Sequence, residues 1–327
     1  MPIVAVDHLS KIYPVAVKEP GLRGTLNHFF RRQYRSIRAV ESISFDIAAG
    51  EIVGFLGPNG AGKTTTLKML SGLIYPSSGT VRVAGQIPFD RKTAFLKSMS
   101  LVMGQKQQLL WDLPALDSLR INAAVYELSD IEFKQRVGEL SEMLALQDQL
   151  RQPIRKLSLG ERMKAELLAA LLHHPKVLFL DEPTLGLDVN AQAAVRDFLR
   201  TYNQRYQATI LLTSHYMADI AALCQRVLLI YQGRLIYDGS LDGLVERFSP
   251  YREVQVELAT PVPEAKLRQF AEIESCDRCR VRFLVQRPEL TQVVGQILAQ
   301  LPVSDLSVTE PPLEEVIARL FTTGTVA

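Results

Sequence analysis

Residues 51–73 read EIVGFLGPNGAGKTTTLKMLSGL, and this stretch decides the fold of the larger part of the chain. The run EIVGFL has the length and apolar character of a short strand. The run TTTLKMLSGL carries Leu67, Leu70 and Leu73 at helical spacing. Between them, residues 57–64 match the pattern G-x-x-x-x-G-K-[ST]. Because that pattern forms a phosphate-binding loop in a strand–loop–helix context, we predict such a loop here.

The predicted loop supplies several kinds of phosphate contact. Its glycines let backbone N–H groups approach phosphate oxygens closely, and the helix that follows adds the positive end of its dipole. Lys63 supplies a charge for the β- and γ-phosphates, and the Thr64 hydroxyl can ligate Mg²⁺. A glycine-rich turn with a chance lysine is the alternative, and the flanking strand and helix disfavour it. The candidate phosphate-binding residues are Gly57, Pro58, Asn59, Gly60, Ala61, Gly62, Lys63, Thr64 and Thr65.

A pair of carboxylates follows a second apolar run. Residues 176–183 read KVLFLDEP, in which four apolar residues predict a fully buried parallel strand. Asp181 and Glu182 would stand at its carboxyl end, where open α/β sheets bind their ligands. Neighbouring residues of an extended chain point in opposite directions, so the two carboxylates can divide two roles. We expect Asp181 to hold Mg²⁺ and Glu182 to polarise the attacking water; an isolated Asp–Glu pair would more simply begin a helix.

Two further stretches carry polar residues at the ends of predicted elements. Residues 209–217, TILLTSHYM, read as another buried strand that ends in Ser214 and His215. An isolated histidine is more often a satisfied surface or core group, but this one follows a core strand at the same sheet edge, so we interpret it as a γ-phosphate contact. Residues 157–166, LSLGERMKAE, contain Ser158 and Glu161 three residues apart, which predicts a capping box at a helix start.

Composition excludes several classes of protein. The 327 residues suggest about two domains, and 47% hydrophobic with 22% charged residues describe an ordinary globular chain. A net charge of +2 is too small to indicate wholesale nucleic-acid binding. The sequence shows no apolar run near the roughly 18 residues of a membrane span and no secretory signal. Three cysteines indicate no disulfide framework, so we expect a cytoplasmic chain.

Cys276 and Cys279 form a C-x-x-C pattern around Asp277 and Arg278. A closed zinc site needs four ligands, and the sequence offers no second Cys/His pair nearby. The pattern stands between two β-like runs, so we interpret it as a hairpin turn rather than a metal or redox site.

These motifs, in this order, resemble those of the ATP-binding subunits of ABC transporters over roughly residues 3–245. The resemblance implies an α/β fold, with a RecA-like P-loop ATPase core, an antiparallel β-subdomain and a helical subdomain that carries the family's signature. It implies ATP and Mg²⁺ as cofactors. The metal ligands that it implies are Thr64, Gln105 and Asp181, and the catalytic residues are Lys63, Glu182 and His215.

The resemblance also assigns roles to residues outside the phosphate loop. Gln105 in LVMGQKQQ corresponds to the Q-loop glutamine, which contacts Mg²⁺ and the membrane subunit. Asp188 in LGLD corresponds to the D-loop, and His215 to the switch histidine. Tyr13 in LSKIYP is placed like the aromatic residue that stacks on adenine.

The stretch LSLGE at residues 157–161 resembles the family's signature LSGGQ. The resemblance implies that two cassettes pair head to tail, so that each signature caps the nucleotide on the other's phosphate loop. The partner is then a second copy or a paralogous cassette. Leu159 and Glu161 depart from the family's glycine and glutamine, whereas Ser158 and Gly160 are retained, so we expect hydrolysis to survive. The residues expected to act in trans are Leu157, Ser158, Leu159, Gly160 and Glu161.

A long segment, VAVKEPGLRGTLNHFFRRQYRSIR, occupies residues 15–38, where many relatives have only a short hairpin. Apolar and basic residues recur in it at helical spacing, which predicts a basic amphipathic helix over about residues 20–38. Such a helix could lie on an anionic membrane surface, dock on a membrane subunit, or pack on its own domain with a solvated basic face. The apolar residues are Leu22, Leu26, Phe29, Phe30, Tyr34 and Ile37, and the basic ones are Arg23, Arg31, Arg32, Arg35 and Arg38.

After about residue 245 the pattern of strand-like and helix-like runs changes. Strand-like and helix-like runs alternate from EVQVEL to PLEEVIARLF, which suggests a small α+β domain. We therefore predict an ATPase cassette over residues 1–245, including the insertion at about 15–38, and an accessory domain over residues 246–327. The ending resembles that of the type-two exporter branch of ABC ATPases.

The resemblance implies a transport motor in which ATP closes a dimer, hydrolysis reopens it, and integral membrane permease subunits convert the cycle into export. It implies a peripheral position on the cytoplasmic face of the inner membrane. A soluble ABC ATPase that acts on ribosomes or nucleic acid is the alternative. Relatives of that kind carry two cassettes or long coiled-coil arms, and the sequence shows one cassette without sustained heptads. The transported cargo stays open, because its contacts belong to the membrane partner.

Overall fold

The computed structural model describes residues 1–17, 33–104, 107–214, 216–311 and 315–317. The chain forms two compact units, Met1–Gly239 and Ser240–Ala327. The boundary expected after residue 245 falls within the helix Leu241–Phe248, whereas the units divide just before that helix. Gln105, His215 and residues 18–32 of the insertion lie outside the described residues.

The strands of the first unit form two sheets. The bounds are β1 Val4–Val17, β2 Gln33–Ile47, β3 Ile52–Leu56, β4 Ser78–Val83, β5 Met99–Met103, β6 Val177–Asp181, β7 Thr209–Thr213, β8 Arg226–Tyr231 and β9 Arg234–Ser240. One sheet has the order β5-β6-β7-β3-β8-β9, and its strands from β5 to β8 in that order are parallel neighbours. Its inner strands are mostly apolar because both faces of the sheet are covered. The expected RecA-like core is confirmed, and the three apolar runs that were predicted to be strands form β3, β6 and β7.

The second sheet of this unit is antiparallel, with the order β2-β1-β4. Its inner face joins the core of the parallel sheet: Val4, Ile47, Phe55 and Leu67 are all fully buried in one apolar cluster. The antiparallel β-subdomain that the resemblance implies is therefore confirmed.

The predicted basic helix is wrong for the part of the insertion that the structure describes. Val15 pairs with Arg35 and Val17 pairs with Gln33, so both ends of the insertion lengthen the β1–β2 hairpin. Tyr34 and Ile37 stand at a helical spacing, but they are 56% and 47% exposed and form no common buried stripe. Ladder pairing with β1 satisfies the backbone groups of this segment, which removes the need for helical hydrogen bonds.

The helices of the first unit flank the parallel sheet and build the helical subdomain. Their bounds are α1 Lys63–Leu70, α2 Thr93–Ser98, α3 Ala115–Val125, α4 Asp130–Met143, α5 Leu159–Leu171, α6 Val189–Tyr206 and α7 Met217–Leu223. Helix α5 contacts α3, α4, α6 and strand β5. Its residues 165–171 are all buried, which explains why the sequence MKAELLAALL is apolar around most of the helix. The expected signature-bearing helix therefore lies at the centre of the helical subdomain.

The second unit is an antiparallel sheet with helices. Its elements are α8 Leu241–Phe248, β10 Tyr251–Leu258, α9 Glu264–Leu267, β11 Glu272–Asp277, β12 Arg280–Gln286, α10 Leu290–Gln300 and β13 Val303–Thr309. The sheet order is β11-β12-β10-β13, and Val254, Phe283 and Ile297 lie in its apolar core. Asp277 pairs with Arg280, so the C-x-x-C pattern forms a hairpin turn as expected. Among the described residues of the whole chain, no helix is both long enough and apolar enough to cross a membrane.

Candidate active site

The loop between β3 and α1 needs glycine at two positions because other backbone segments lie against it. A Cβ atom on Gly57 would lie 2.3 Å from the carbonyl oxygen of Ile230, and one on Gly62 would lie 2.4 Å from that of Ala39. Gly62 also has a φ of 110°, in the region that side chains avoid. The sequence pattern thus reflects a loop held tightly between β8 and β2, with α1 beginning at Lys63.

Lys63 is almost completely buried and turns back into this loop. Its Nζ atom donates hydrogen bonds to the carbonyl oxygens of Gly57, at 2.6 Å, and Pro58, at 3.1 Å. Burial lowers the pKa of Lys63, and the nearby carboxylates of Glu182 and Asp181 partly offset this effect. The ammonium group is therefore held in the loop, facing two acidic residues from another strand.

Asp181, at the end of β6, joins the loop to the neighbouring strand. One carboxylate oxygen accepts a hydrogen bond from the Thr64 hydroxyl at 2.9 Å, and the other accepts one from the Thr213 hydroxyl at 2.8 Å. The structure therefore brings together Thr64 and Asp181, two of the three residues that were expected to bind a metal. Thr213 was missed, although a hydroxyl residue at the carboxyl end of the run TILLT was an available signal.

Glu182 stands in an unusual backbone conformation beside Asp181. Its φ is 56°, which costs about 1–3 kcal/mol for a residue other than glycine. Its N–H is anchored by the carbonyl and hydroxyl oxygens of Thr213, both at 3.1 Å. The backbone therefore leaves the strand direction at Glu182, so that the two acidic side chains take separate positions.

Gly104 brings the end of β5 against this turn. Its N–H donates to the carbonyl oxygen of Asp181 at 2.9 Å, and a Cβ atom on it would lie 2.4 Å from the carbonyl oxygen of Glu182. Gln105, the expected Q-loop glutamine, follows directly in the sequence but lies outside the described residues. The glycine in LVMGQ was the signal for this close approach.

Ser214, which precedes His215, is bonded to a buried carboxylate, and His215 itself lies outside the described part of the chain. Asp219 is 1% exposed and accepts hydrogen bonds from the Ser214 hydroxyl at 2.8 Å and the Thr184 hydroxyl at 2.5 Å. Arg196 of α6 donates to it at 2.8 Å. Asp219 thus joins Ser214, at the end of β7, to Thr184 and to helix α6, and sequence reasoning overlooked this acidic residue.

The start of α5 is capped as predicted. The Ser158 hydroxyl accepts from the Glu161 N–H at 3.2 Å, and the Glu161 carboxylate accepts from the Ser158 N–H at 2.9 Å and from its hydroxyl at 2.8 Å. These hydrogen bonds lower the pKa of Glu161. Leu159, the departure from the usual glycine, is 46% exposed at this helix start.

The starts of α5 and α6 lie side by side. A Cβ atom on Gly160 would lie 2.9 Å from that of Ala191, and one on Gly186 would lie 3.4 Å from the Leu159 side chain. Asp188 caps α6 by accepting from the Ala191 N–H at 2.9 Å. The expected signature and D-loop thus lie next to each other. They share no residue with the cluster of Lys63, Thr64, Asp181 and Glu182.

Tyr13 lies in β1, half-buried, with the Lys11 ammonium 5.1 Å from its ring centre. Its partner across the hairpin is Ile37. Ala39, two residues further along β2, is the residue whose carbonyl oxygen lies against Gly62. Tyr13 is thus carried by the strand pair that borders the phosphate loop.

Comparison with known proteins gives consistent matches to both units. The chain matches the family described as ABC transporter over residues 40–185, and the family described as EvrA-like ABC transporter, C-terminal domain, over residues 250–309. The ABC transporter ATP-binding protein NatA of Bacillus subtilis is 35% identical over 66% of this chain and 88% of its own. Nod factor export ATP-binding protein I of Paraburkholderia xenovorans is 35% identical over 66% of this chain and 70% of its own. A solved ATP-binding subunit of an ABC transporter matches with a TM-score of 0.62 and 26% identity, covering 75% of this chain and 93% of that one.

Proposed function

This chain belongs to the ATP-binding proteins of ABC transporters, and on that premise we propose that it is the ATP-hydrolysing motor subunit of an exporter. The observation that carries the proposal is the convergence of Lys63, Thr64, Asp181 and Glu182 at the carboxyl ends of β3 and β6. The positive Lys63 and the negative Asp181 and Glu182 meet there. A metal–nucleotide complex requires both, because the phosphates are negative and the metal ion is positive. A relative over 66% of the chain is named for export, which supports the direction of transport.

The roles of these residues follow from their contacts. Lys63 would exchange its hydrogen bonds to Gly57 and Pro58 for oxygens of the β- and γ-phosphates. Glu182, set apart from Asp181 by its backbone turn, would polarise the attacking water. His215, which follows Ser214 at the end of β7, would contact the γ-phosphate. The remaining backbone groups of residues 57–65 would hold the phosphate chain, and Tyr13 would stack on adenine.

The donor set fits a magnesium ion. Mg²⁺ prefers oxygen ligands, and the Thr64 hydroxyl and an Asp181 carboxylate oxygen stand 2.9 Å apart. We assign these two side chains, with Gln105, to the metal, which would neutralise charge on the bound phosphates. The Thr213 hydroxyl would keep Asp181 oriented through its second oxygen.

We further propose that the start of α5 closes the nucleotide site of a second cassette. Leu157, Ser158, Leu159, Gly160 and Glu161 would present backbone N–H groups and the Ser158 hydroxyl to the γ-phosphate of the partner, with Asp188 alongside. The positive end of the helix dipole favours such an anion. The partner is a second copy or a paralogous cassette.

The chain would act as a peripheral subunit on the cytoplasmic face of the inner membrane, bound to integral membrane permease subunits. A groove beside β5 suits such a partner because apolar and polar residues share its lining. Among the lining residues, Leu73, Val125 and Tyr126 supply apolar surface, whereas Gln107 and Gln108 follow closely after Gln105. Movement at Gln105 could thus be sensed by the partner. Isolating the chain from membranes together with integral membrane proteins would test this.

Replacing Lys63 with alanine is expected to lower ATP affinity at least about tenfold, because a buried charge that contacts two phosphates is lost. Affinity can be measured by the fluorescence of a labelled ATP analogue. Lys68→Ala, on the same helix, is the matched control and should bind ATP normally. Unchanged affinity in Lys63→Ala would remove the phosphate-binding assignment and the proposed function with it.

We also propose that the insertion meets an anionic membrane surface. The isolated subunit should sediment with vesicles containing anionic lipid and be released as salt rises. Replacing Arg31, Arg32 and Arg35 by glutamine should weaken binding at least about tenfold, since each basic residue near such a surface contributes about 1 kcal/mol. Equal binding to neutral vesicles would rule out this contact. The matched control replaces three exposed arginines elsewhere, Arg200, Arg268 and Arg280.

A further inference from the structure

Glu166 is a buried carboxylate in the middle of the signature helix α5. Its residue is 4% exposed, and it stands one turn after Arg162 on the same helix face. Burial raises the pKa of Glu166, an effect that its hydrogen bonds and the nearby guanidinium partly offset. A buried carboxylate is seldom retained for packing alone, because an apolar side chain of similar volume stabilises such a position at least as well. The groups that bind the Glu166 carboxylate therefore indicate its role.

Both oxygens of Glu166 bind the backbone of the segment that follows the Q-loop position. The Gln108 N–H donates to them at 3.1 and 3.0 Å, and the Leu109 N–H donates to one of them at 3.3 Å. Hydrogen bonds to an ionised acceptor are stronger than neutral ones. Glu166 thus fixes a non-helical backbone segment to α5.

Further contacts of Arg162 and Gln108 strengthen this connection. The Arg162 guanidinium lies over the Trp111 ring, 4.4 Å from its centre, and donates to the Leu157 carbonyl oxygen at 3.5 Å. The Gln108 side chain reaches the other way and donates to the Leu101 carbonyl oxygen of β5 at 2.9 Å. Residues 108–111 are therefore bonded to the core sheet on one side and to the signature helix on the other.

We propose that Glu166 is a positioning residue that makes residues 108–111 and helix α5 move together, so that a change at the Q-loop position displaces the signature. Gln108 lies three residues after Gln105. Glu166 lies eight residues after Ser158, about 12 Å along a rigid helix. The inference rests on the proposed function, because it concerns closure of the nucleotide site by the signature of a partner.

The experiment measures the ATP concentration that produces half-maximal dimerisation in a Glu182→Gln background, in which hydrolysis does not interfere. Glu166→Leu keeps the volume but cannot accept a hydrogen bond, so the midpoint should rise between about 5-fold and 150-fold, the usual range of coupling between two sites. Glu166→Gln keeps one acceptor oxygen for Gln108 and Leu109, so its midpoint should rise by less. ATP affinity of the monomer should stay unchanged in both variants.

Ser129→Ala is the matched control. Ser129 caps α4 through the same Ser–Glu box, with Glu132, in the same helical subdomain. Its loss should lower the melting temperature without moving the dimerisation midpoint. Hydrogen–deuterium exchange of residues 107–111 gives a second readout, since Glu166→Leu should increase it and abolish its response to ATP. If Glu166→Leu does not fold, Trp111→Ala, at a 42% exposed residue, should shift the midpoint in the same direction.

Three results would overturn the proposal. An unchanged midpoint in Glu166→Leu shows that the contact is only structural. Equal shifts in Glu166→Leu and Ser129→Ala show a general loss of stability. An unchanged midpoint in Trp111→Ala counts against residues 108–111 as the connecting segment. Failure of the reference protein to dimerise with ATP would instead overturn the proposed function, and this inference with it.

Discussion

A Glu182→Gln variant is expected to bind ATP with wild-type affinity and to hydrolyse it about 10²–10⁴-fold more slowly, the range that general-base catalysis contributes. The amide has the shape of the carboxylate but cannot accept a proton from the attacking water. The Glu182 N–H is held by Thr213, and Gly104 packs against the Glu182 carbonyl group, so neither backbone contact involves the charge of the side chain. The loop that contains Lys63 should therefore keep its form. Phosphate release and binding of a labelled ATP analogue measure the two properties separately.

Asp197→Asn is a suitable control for this experiment, because it makes the same kind of change at a 71% exposed carboxylate on α6. It should hydrolyse ATP at the wild-type rate. Normal turnover in Glu182→Gln would exclude Glu182 as the residue that activates water. Loss of ATP binding in that variant would instead indicate that the charge of Glu182 maintains the loop.

Local sequence signals predicted the parts of the site that depend on neighbouring residues. The phosphate loop was recognisable from its glycine spacing. Glycine is needed at positions 57 and 62 because the carbonyl groups of Ile230 and Ala39 lie against them. The capping box of Ser158 and Glu161 was recognisable because both of its hydrogen bonds join residues three apart. Patterns of this kind are complete within one short stretch.

Contacts between distant segments could not be predicted in the same way. Asp219 and Glu166 acquire their roles only when other elements pack against them, and each resembles an ordinary helical acid in the sequence. The β1–β2 hairpin shows the opposite error. Tyr34 and Ile37 satisfied a helical period, but pairing with β1 decided the conformation. The periodicity of one segment carries no information about a partner strand, so it could not predict the extended hairpin.

The sharpest test of the proposed dimer mixes two inactive variants, Ser158→Arg and Lys63→Ala. In a head-to-tail dimer with one chain of each kind, both defects meet in one site, and the other site has an intact Lys63 and an intact Ser158. Activity should therefore return on mixing. It should reach about a quarter of the wild-type rate, since half of randomly formed dimers are mixed and each retains one of its two sites. The rate of phosphate release at equal total protein measures it.

Ser129→Arg is the matched control, because Ser129 and Ser158 form the same capping box with a glutamate three residues later. Loss of either cap should cost about 1 kcal/mol of stability. Ser129→Arg alone should remain active, whereas Ser158→Arg alone should not. If Ser158 served only as a cap, Ser158→Arg would remain active as Ser129→Arg does, and adding Lys63→Ala would not raise the activity above that of the Ser158→Arg chains alone.

An absence of restored activity has one further explanation, which is that both sites must contain functional residues for either to turn over. Counting the ATP molecules trapped per dimer in a Glu182→Gln background separates the two cases, because trapping needs closure but not hydrolysis. One ATP per mixed dimer would place Ser158 of one chain opposite Lys63 of the other, even without turnover. Mixed dimers that trap none would show that the start of α5 does not close the neighbouring site.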